Sequence, residues 1–221
     1  MLNSKNGFTL GEVLIIVLII GIIAVLSLPS LMKNINEKSR MSLLKGTVAS
    51  IGSVVQSEIT KQRTNEITST DIYKDPKEFI QKFNGAKSGK PFATSYRKYS
   101  DSKEASDVLI PSDDNDNQAA LLLKNGVGIG IVNDGANSRT SFVVDLTGSD
   151  KPNMVGVDYF ILKLEWYDGN GHHAGDITSY ENGGAEGPES GSALETACKS
   201  GNGAACFRMV ELSGYDPKYL D

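Results

Sequence analysis

One carboxylate in this sequence stands where an isolated charge is costly. Glu12 opens a stretch, residues 13–28, that carries no charge at all. An ionised carboxylate so close to hydrocarbon costs on the order of 2.5–3.5 kcal/mol even on lenient insertion scales. The chemistry expected of Glu12 is therefore electrostatic, because its charge is unfavourable unless another group compensates it.

Two further clusters have side chains that could hold a metal ion. The stretch Asp113–Asn117 is rich in oxygen ligands but lacks the spacing and the distal glutamate of a calcium loop. His172 and His173 are adjacent in a glycine-rich stretch, and the spacing implies no third ligand. A solvated acidic loop is the favoured interpretation of the first cluster, and we predict no metal site.

Motifs typical of enzymes and of nucleotide binding do not occur in the sequence. The segment GVGIGIVNDG, residues 126–135, contains G-x-G without the full G-x-G-x-x-G pattern, and there is no Walker motif. The balance of 22 basic and 27 acidic residues argues against nucleic acid as the main partner. We expect a protein that is not an enzyme and that uses no cofactor.

The two cysteines lie close together near the C-terminus. Cys198 and Cys206 are eight positions apart. Such a pair could be a disulfide, half of a zinc site or two free thiols, and the cellular compartment decides among these.

The elements that position Glu12 begin with a long apolar segment. Residues 8–28 would form a helix of about 31 Å, which is enough to cross the core of a bilayer. The apolar run is longer than that of an ordinary cleaved signal peptide, and no convincing A-x-A cleavage site follows it.

The helical pattern continues beyond Pro29, which we expect to kink the helix but not to end it. One helix is predicted from about Leu10 to about Lys61, apolar all round in its first half and amphipathic in its second. The apolar side chains of the second half are Leu31, Ile35, Leu44, Val48, Ile51, Val55 and Ile59.

The remainder of the chain predicts an α+β head. Residues 75–83 favour a short helix capped by Asp75, with Pro76 at its first position. Residues 119–134 predict a hairpin that turns at Asn125-Gly126, and residues 140–146 and 158–166 predict two more antiparallel strands. The glycine-rich stretch 167–203 is expected to be an exposed, mobile loop.

The N-terminal motif GFTLGEVL, followed by the apolar run and Pro29, resembles the class III signal of type IV pilins and type II secretion pseudopilins. The resemblance implies that a prepilin peptidase cuts after Gly7 and that the new N-terminal residue, Phe8, is methylated. It also implies that Glu12 pairs with the Phe8 amine of a neighbouring subunit during assembly. Gly11 departs from the family, which more often has isoleucine there. The segment VDLTGSDKPNMVGVDYF, residues 144–160, is similar to a segment of many pseudopilin-like proteins.

The resemblance implies a pilin-like fold, in which the long helix packs on a small antiparallel sheet and a disulfide closes a glycine-rich C-terminal region. The parts are a leader (1–7), a transmembrane or filament-core helix (8–30), an amphipathic half (31–63) and a globular head (64–221). The head would lie outside the cytoplasm. In that oxidising setting we expect Cys198 and Cys206 to form a disulfide.

The function implied is that of a major or minor structural subunit of a type IV pilus-like or pseudopilus filament. The expected partners are other pilin or pseudopilin subunits, the prepilin peptidase, the inner-membrane assembly machinery and, before assembly, membrane lipid. The expected location is the inner membrane as a single-pass protein, then a periplasmic or extracellular filament. The alternative is a membrane-tethered or filament-tip binding protein that a pilin-like N-terminus delivers.

Overall fold

The computed structural model describes residues 7, 9–64, 66–83, 89–101, 103–106, 108–112, 114–134, 139–164, 177–178 and 191–219. The chain divides into two units, Met1–Ser39 and Arg40–Asp221. The helices are α1 (Leu10–Gln62), a short 3-10 helix (Ile67–Ser69), α2 (Asp71–Lys74), α3 (Pro76–Ile80), α4 (Ser192–Lys199) and α5 (Gly203–Leu212). The strands are β1 (Gln118–Leu122), β2 (Gly128–Asp134), β3 (Arg139–Asp145), β4 (Tyr159–Leu164) and β5 (Ile177–Thr178).

The first unit consists of the apolar half of α1 and the residues that precede it. Helix α1 begins at Leu10 and ends at Gln62, which confirms the predicted long helix and its continuation through Pro29. Among the described residues, α1 is the helix that is long and apolar enough to cross a membrane, and its most apolar stretch is entirely unburied. The exposed apolar side chains include Leu10, Leu14, Val17, Leu18, Ile20, Ile23, Val25 and Leu26.

The second half of α1 turns one face into the core of the second unit. The buried positions recur every three or four residues, which is the period of one helix face. These residues are Met41, Leu44, Thr47, Ile51, Val55 and Glu58. Ile35, which the pattern placed on this face, is 56% exposed, so that prediction is wrong at Ile35.

The strands form one antiparallel sheet in the order β1-β2-β3-β4-β5, and β5 has only two residues. The predicted antiparallel sheet is therefore confirmed. Strands β2 and β4 are buried at nearly every position, so both faces of the sheet are covered. The buried apolar residues of α1 and of the strands belong to a single hydrophobic core.

Local turn chemistry explains two of these elements. In the β1–β2 hairpin, Gly126 has a φ of 88°, which glycine adopts without steric cost, and Asn125 Oδ1 accepts a hydrogen bond from the Val127 amide at 3.2 Å. At the start of α3, Asp75 Oδ1 accepts a bond from the Glu78 amide at 2.9 Å, and Pro76 follows the cap. Both features agree with the sequence prediction.

The C-terminal region contains helices where a loop was expected. Helix α4 and the start of α5 lie within 167–203, so the prediction of a mobile loop is wrong for the end of that stretch. Leu194 and Cys198 of α4 are buried, and Asn202 caps α5 by accepting a bond from the Ala205 amide at 2.9 Å. Apolar burial and capping therefore order this part of the chain despite its glycines.

An ion-pair cluster ties α1 to the short helices that follow it. Glu58 is 2% exposed, and its Oε2 lies 2.6 Å from Lys82 Nζ, which also contacts Asp71 Oδ2 at 3.1 Å. Gln62 Nε2 donates to the other Glu58 oxygen at 3.0 Å. Burial opposes ionisation of Glu58, but the bonds from Lys82 and Gln62 outweigh it and lower the Glu58 pKa to about 2.

Candidate assembly site

The N-terminus of α1 is closed by a reciprocal pair of side chains, Thr9 and Glu12. Glu12 Oε2 accepts two hydrogen bonds, from the Thr9 amide and from Thr9 Oγ1, each at 2.8 Å. Thr9 Oγ1 in turn accepts a bond from the Glu12 amide at 3.3 Å. This is the capping-box arrangement, in which two backbone donors at a helix start are satisfied by side chains.

The capping box gives Glu12 a role within its own chain. A carboxylate in the first turn is also favoured by the positive end of the helix dipole. Glu12 is therefore partly compensated by groups of its own chain. Thr9 was missed by the sequence reasoning, although T-x-x-E immediately before an apolar run is the signature of this motif.

The residues of the predicted cleavage site, Gly7 and Phe8, precede this cap in the sequence. Gly7 is exposed, and a Cβ added to Gly7 would meet nothing within 4 Å. Glycine at this position is thus not required by packing within the described chain. Phe8 lies outside the described residues, so its predicted cleavage and methylation stay predictions.

Two more N-terminal predictions concern the shape of the helix. Gly11 also lies in open space, so a larger apolar side chain would fit there. Pro29 is a helical residue of α1, and the kink expected at Pro29 stays a prediction.

The N-terminal half of α1 is therefore an exposed apolar helix with one carboxylate, that of Glu12, near its N-terminal end. The apolar half of α1 exposes a continuous hydrocarbon surface far larger than soluble proteins usually leave uncovered. Such a surface can be covered by lipid chains or by other apolar helices. A carboxylate at its N-terminal end can then orient a cationic partner.

At the other end of the chain, the predicted disulfide is present between Cys198 of α4 and Cys206 of α5. Both sulfurs are buried against Gly156 in the connection between β3 and β4. Gly156 has a φ of 84°, and a Cβ there would lie 2.8 Å from the Cys206 sulfur. The Tyr219 hydroxyl donates to the Gly156 carbonyl, so the C-terminal segment closes over the same spot.

The acidic loop uses its described carboxylates in local contacts. Asp116 Oδ1 lies 2.9 Å from Lys77 Nζ, and Asp114 Oδ2 accepts a bond from Ser112 Oγ at 3.1 Å. Asp113 of this loop lies outside the described residues, as do His172 and His173. Within the described part of the chain, no group of three or more His, Cys, Asp or Glu side chains could hold a metal ion.

Comparison with protein families, with curated proteins and with solved structures finds no match to this chain. The evidence for its function therefore lies in its own residues.

Proposed function

We propose that this chain is a structural subunit of a type IV pilus-like or type II secretion pseudopilus filament. Prepilin peptidase removes residues 1–7, Phe8 becomes the methylated N-terminus, and the subunits polymerise through α1. The head lies outside the cytoplasm, first at the inner membrane and then in the filament.

The observation that carries the proposal is the contrast between the two halves of α1. The most apolar stretch of its N-terminal half is unburied, while one face of its C-terminal half lies in the core of the head. A soluble protein has no use for an uncovered apolar helix, whereas a subunit that passes from lipid to a helical filament core needs one. The same helix can then anchor the subunit and build the filament.

The capping box refines the proposed role of Glu12. Both bonds from Thr9 end on Oε2, so the carboxylate retains acceptor capacity for another donor. In the filament, the Phe8 amine of a neighbouring subunit supplies that donor together with the compensating positive charge. Glu12 thereby acts as a cap in the single subunit and as a register device in the assembly.

Processing at Gly7 is supported by the motif GFTLGEVL, in which glycine stands immediately before the proposed cut. Packing within the described chain does not constrain the residue type there, so Gly7 can be replaced without a clash. Gly11 provides a matched comparison, since it is equally unobstructed but lies beyond the proposed cut.

Processing is tested by mass spectrometry of the native protein and of two variants. We expect the parent and Gly11→Ile to begin at Phe8 with a methylated amine, and Gly7→Leu to keep residues 1–7. A native protein that begins at Met1, or that is cut beyond Ser27, contradicts the proposal.

Assembly is tested by shearing filaments from cells and comparing them with the membrane pool. We expect processed subunits in the sheared fraction, and far fewer of them when Gly7→Leu is the only copy. A processed protein found solely in the membrane pool contradicts the filament role and favours a membrane-tethered binding protein.

A further inference from the structure

The connection between β3 and β4, residues 146–158, has a buried carboxylate at each end that the proposed function does not use. Asp145 ends β3 and Asp158 precedes β4, and both are fully buried. Each is held by several donors, so the pair is built into the fold and is not an accident of the surface.

Both carboxylates accept hydrogen bonds from residues of the connection between β3 and β4. Asp145 accepts from the Tyr96 hydroxyl at 2.5 Å and from the Thr147 amide at 2.9 Å. Asp158 accepts from the amides of Asn153 at 2.8 Å and Met154 at 2.7 Å. These bonds hold both ends of the connection to the carboxylates.

The Thr147 hydroxyl has more acceptors around it than it can serve. Its oxygen lies 2.9 Å from Asp158 Oδ2, 2.9 Å from the Asp150 carbonyl and 3.2 Å from Asp145 Oδ1. A hydroxyl carries one hydrogen, so it can donate to one of these three oxygens at a time. Asn153 Oδ1 is a further buried acceptor that has no hydrogen-bond partner among the described atoms.

An added proton relieves this excess of acceptors. A proton on Asp145 Oδ1 can be donated to Thr147 Oγ1, and the Thr147 hydroxyl can then donate to Asp158. The result is a continuous chain of donors from Tyr96 through Asp145 and Thr147 to Asp158. Without that proton, two buried negative charges share one hydroxyl.

The charged and titratable groups around the pair are the following. From α1, the positive charge of Arg40 favours ionisation of Asp158. From the segment before β1, Tyr96 donates to Asp145, and Arg97 Nη2 donates to the Pro152 carbonyl of the connection at 3.0 Å. From β4, the ring centroid of Tyr159 lies 4.4 Å from that of Tyr96. Two charged residues of the connection itself, Asp150 and Lys151, are exposed to solvent.

The electrostatic balance agrees with retention of a proton on Asp145. Burial, with a contribution from the charge of Asp158, raises the Asp145 pKa to about 7, although the bonds from Tyr96 and Thr147 lower it. Burial also raises the pKa of Asp158, but the bonds from Met154 and Thr147 oppose the rise.

We propose that residues 146–158 form a proton-operated latch, in which one proton shared by Asp145, Thr147 and Asp158 holds the connection closed against the Cys198–Cys206 disulfide. Loss of that proton near neutral pH loosens the connection and the contacts that it makes at Gly156. The latch belongs to the unit Arg40–Asp221, and it stands whether or not the chain forms filaments.

The direction of the pH effect follows from linkage. A carboxyl whose pKa is raised on folding contributes most to stability below its unfolded value of about 3.8, and the contribution is lost as the pH rises through about 7. Between pH 5 and pH 7.5 the closed form should lose roughly fifty- to a hundredfold in its ratio to the open form.

The test is amide hydrogen exchange on the full chain in detergent micelles, corrected at each pH for the intrinsic exchange rate. We expect the protection of the amides of Thr147, Asn153 and Met154 to fall by roughly fiftyfold between pH 5 and pH 7.5. Amides of the β2–β3 ladder should keep their protection over the same range. Equal protection of the connection at the two pH values in the parent protein overturns the proposal, and this result requires no variant.

Variants then assign the effect to Asp145. Asp145→Asn should remove the pH dependence, while Asp150→Asn, which removes an exposed carboxylate of the same connection, should keep it. Tyr96→Phe should move the midpoint to higher pH, because it removes a donor that favours the ionised form. If Asp145→Asn retains the parent's pH dependence, or if Tyr96→Phe leaves the midpoint unchanged, Asp145 does not carry the proton and the latch as described is wrong.

Discussion

Replacement of Glu12 by glutamine separates its two roles, because glutamine keeps the cap and removes the charge. Glutamine at the third position of a helix can still accept the bonds from Thr9 that form the capping box. It cannot compensate the amine of a neighbouring Phe8. Glu12→Ala removes both functions, and Thr9→Ala removes the cap while it leaves the carboxylate in place.

The magnitudes of the two effects differ enough to be told apart. Loss of an N-terminal cap costs about 0.5–2 kcal/mol. Removal of one partner from a buried ion pair costs roughly 3–5 kcal/mol. At about 1.4 kcal/mol per factor of ten, loss of the proposed pair should weaken each subunit addition by roughly two to three and a half orders of magnitude. We therefore expect Glu12→Gln to assemble nearly as poorly as Glu12→Ala, and Thr9→Ala to assemble better than either.

The assay is the fraction of each variant in sheared filaments, with its membrane pool as the reference. Processing after Gly7 should persist in all three variants, and membrane insertion should be unchanged or slightly better where the charge is removed. Glu37→Gln is the matched control, since Glu37 lies beyond the apolar half of α1 and pairs with the exposed Lys33 at 3.6 Å.

One result refutes this reasoning directly. If Glu12→Gln forms filaments as well as the parent while Thr9→Ala and Glu12→Ala do not, then Glu12 acts through the cap alone. The inter-subunit pair would then have no part in assembly.

Three further predictions concern the head. Glu58→Gln should lower the free energy of unfolding by about 1–3 kcal/mol at pH 7, because it breaks the ion pair with Lys82. In the parent protein the ion pair contributes fully above the unfolded Glu58 pKa of 4.5, and this contribution is lost as the pH falls towards 2; thermal unfolding at several pH values measures both effects. Gly128→Ala should destabilise the head by at least about 2 kcal/mol, because the added Cβ would overlap the backbone carbonyl of Pro91 in the segment before β1. Urea unfolding that matches the parent would contradict this prediction. Alkylation should label Cys198 and Cys206 only after reduction, and labelling of the unreduced native head would contradict the disulfide.

Elements that are specified by neighbouring residues could be predicted from the sequence. The Asn125-Gly126 turn and the Asp75-Pro76 cap depend on hydrogen bonds and backbone angles within four residues, and both were located correctly. The length of α1 followed in the same way from an apolar run and a helical period.

Features that depend on tertiary packing could not be read in this way. Helix α4 lies in a stretch whose glycine content predicted a loop, and its order comes from burial of Leu194 and of the disulfide. Glu58 was not expected in the core, because its counter-charge on Lys82 lies 24 positions away along the chain. The carboxylates Asp145 and Asp158 likewise meet only when the connection between β3 and β4 folds back.

The order of the sheet has a consequence for how quickly the head can form. Each strand pairs with the strand that follows it in the chain, so every pairing joins near neighbours in the sequence, even across the longer connection at residues 146–158. A topology dominated by such near neighbours folds faster than one built from distant pairings. We expect the β2–β3 ladder to gain protection first in pulse-labelled refolding, with the Cys198–Cys206 region after it. A head that folds in this order presents few unpaired strand edges, and those only briefly, to neighbouring chains.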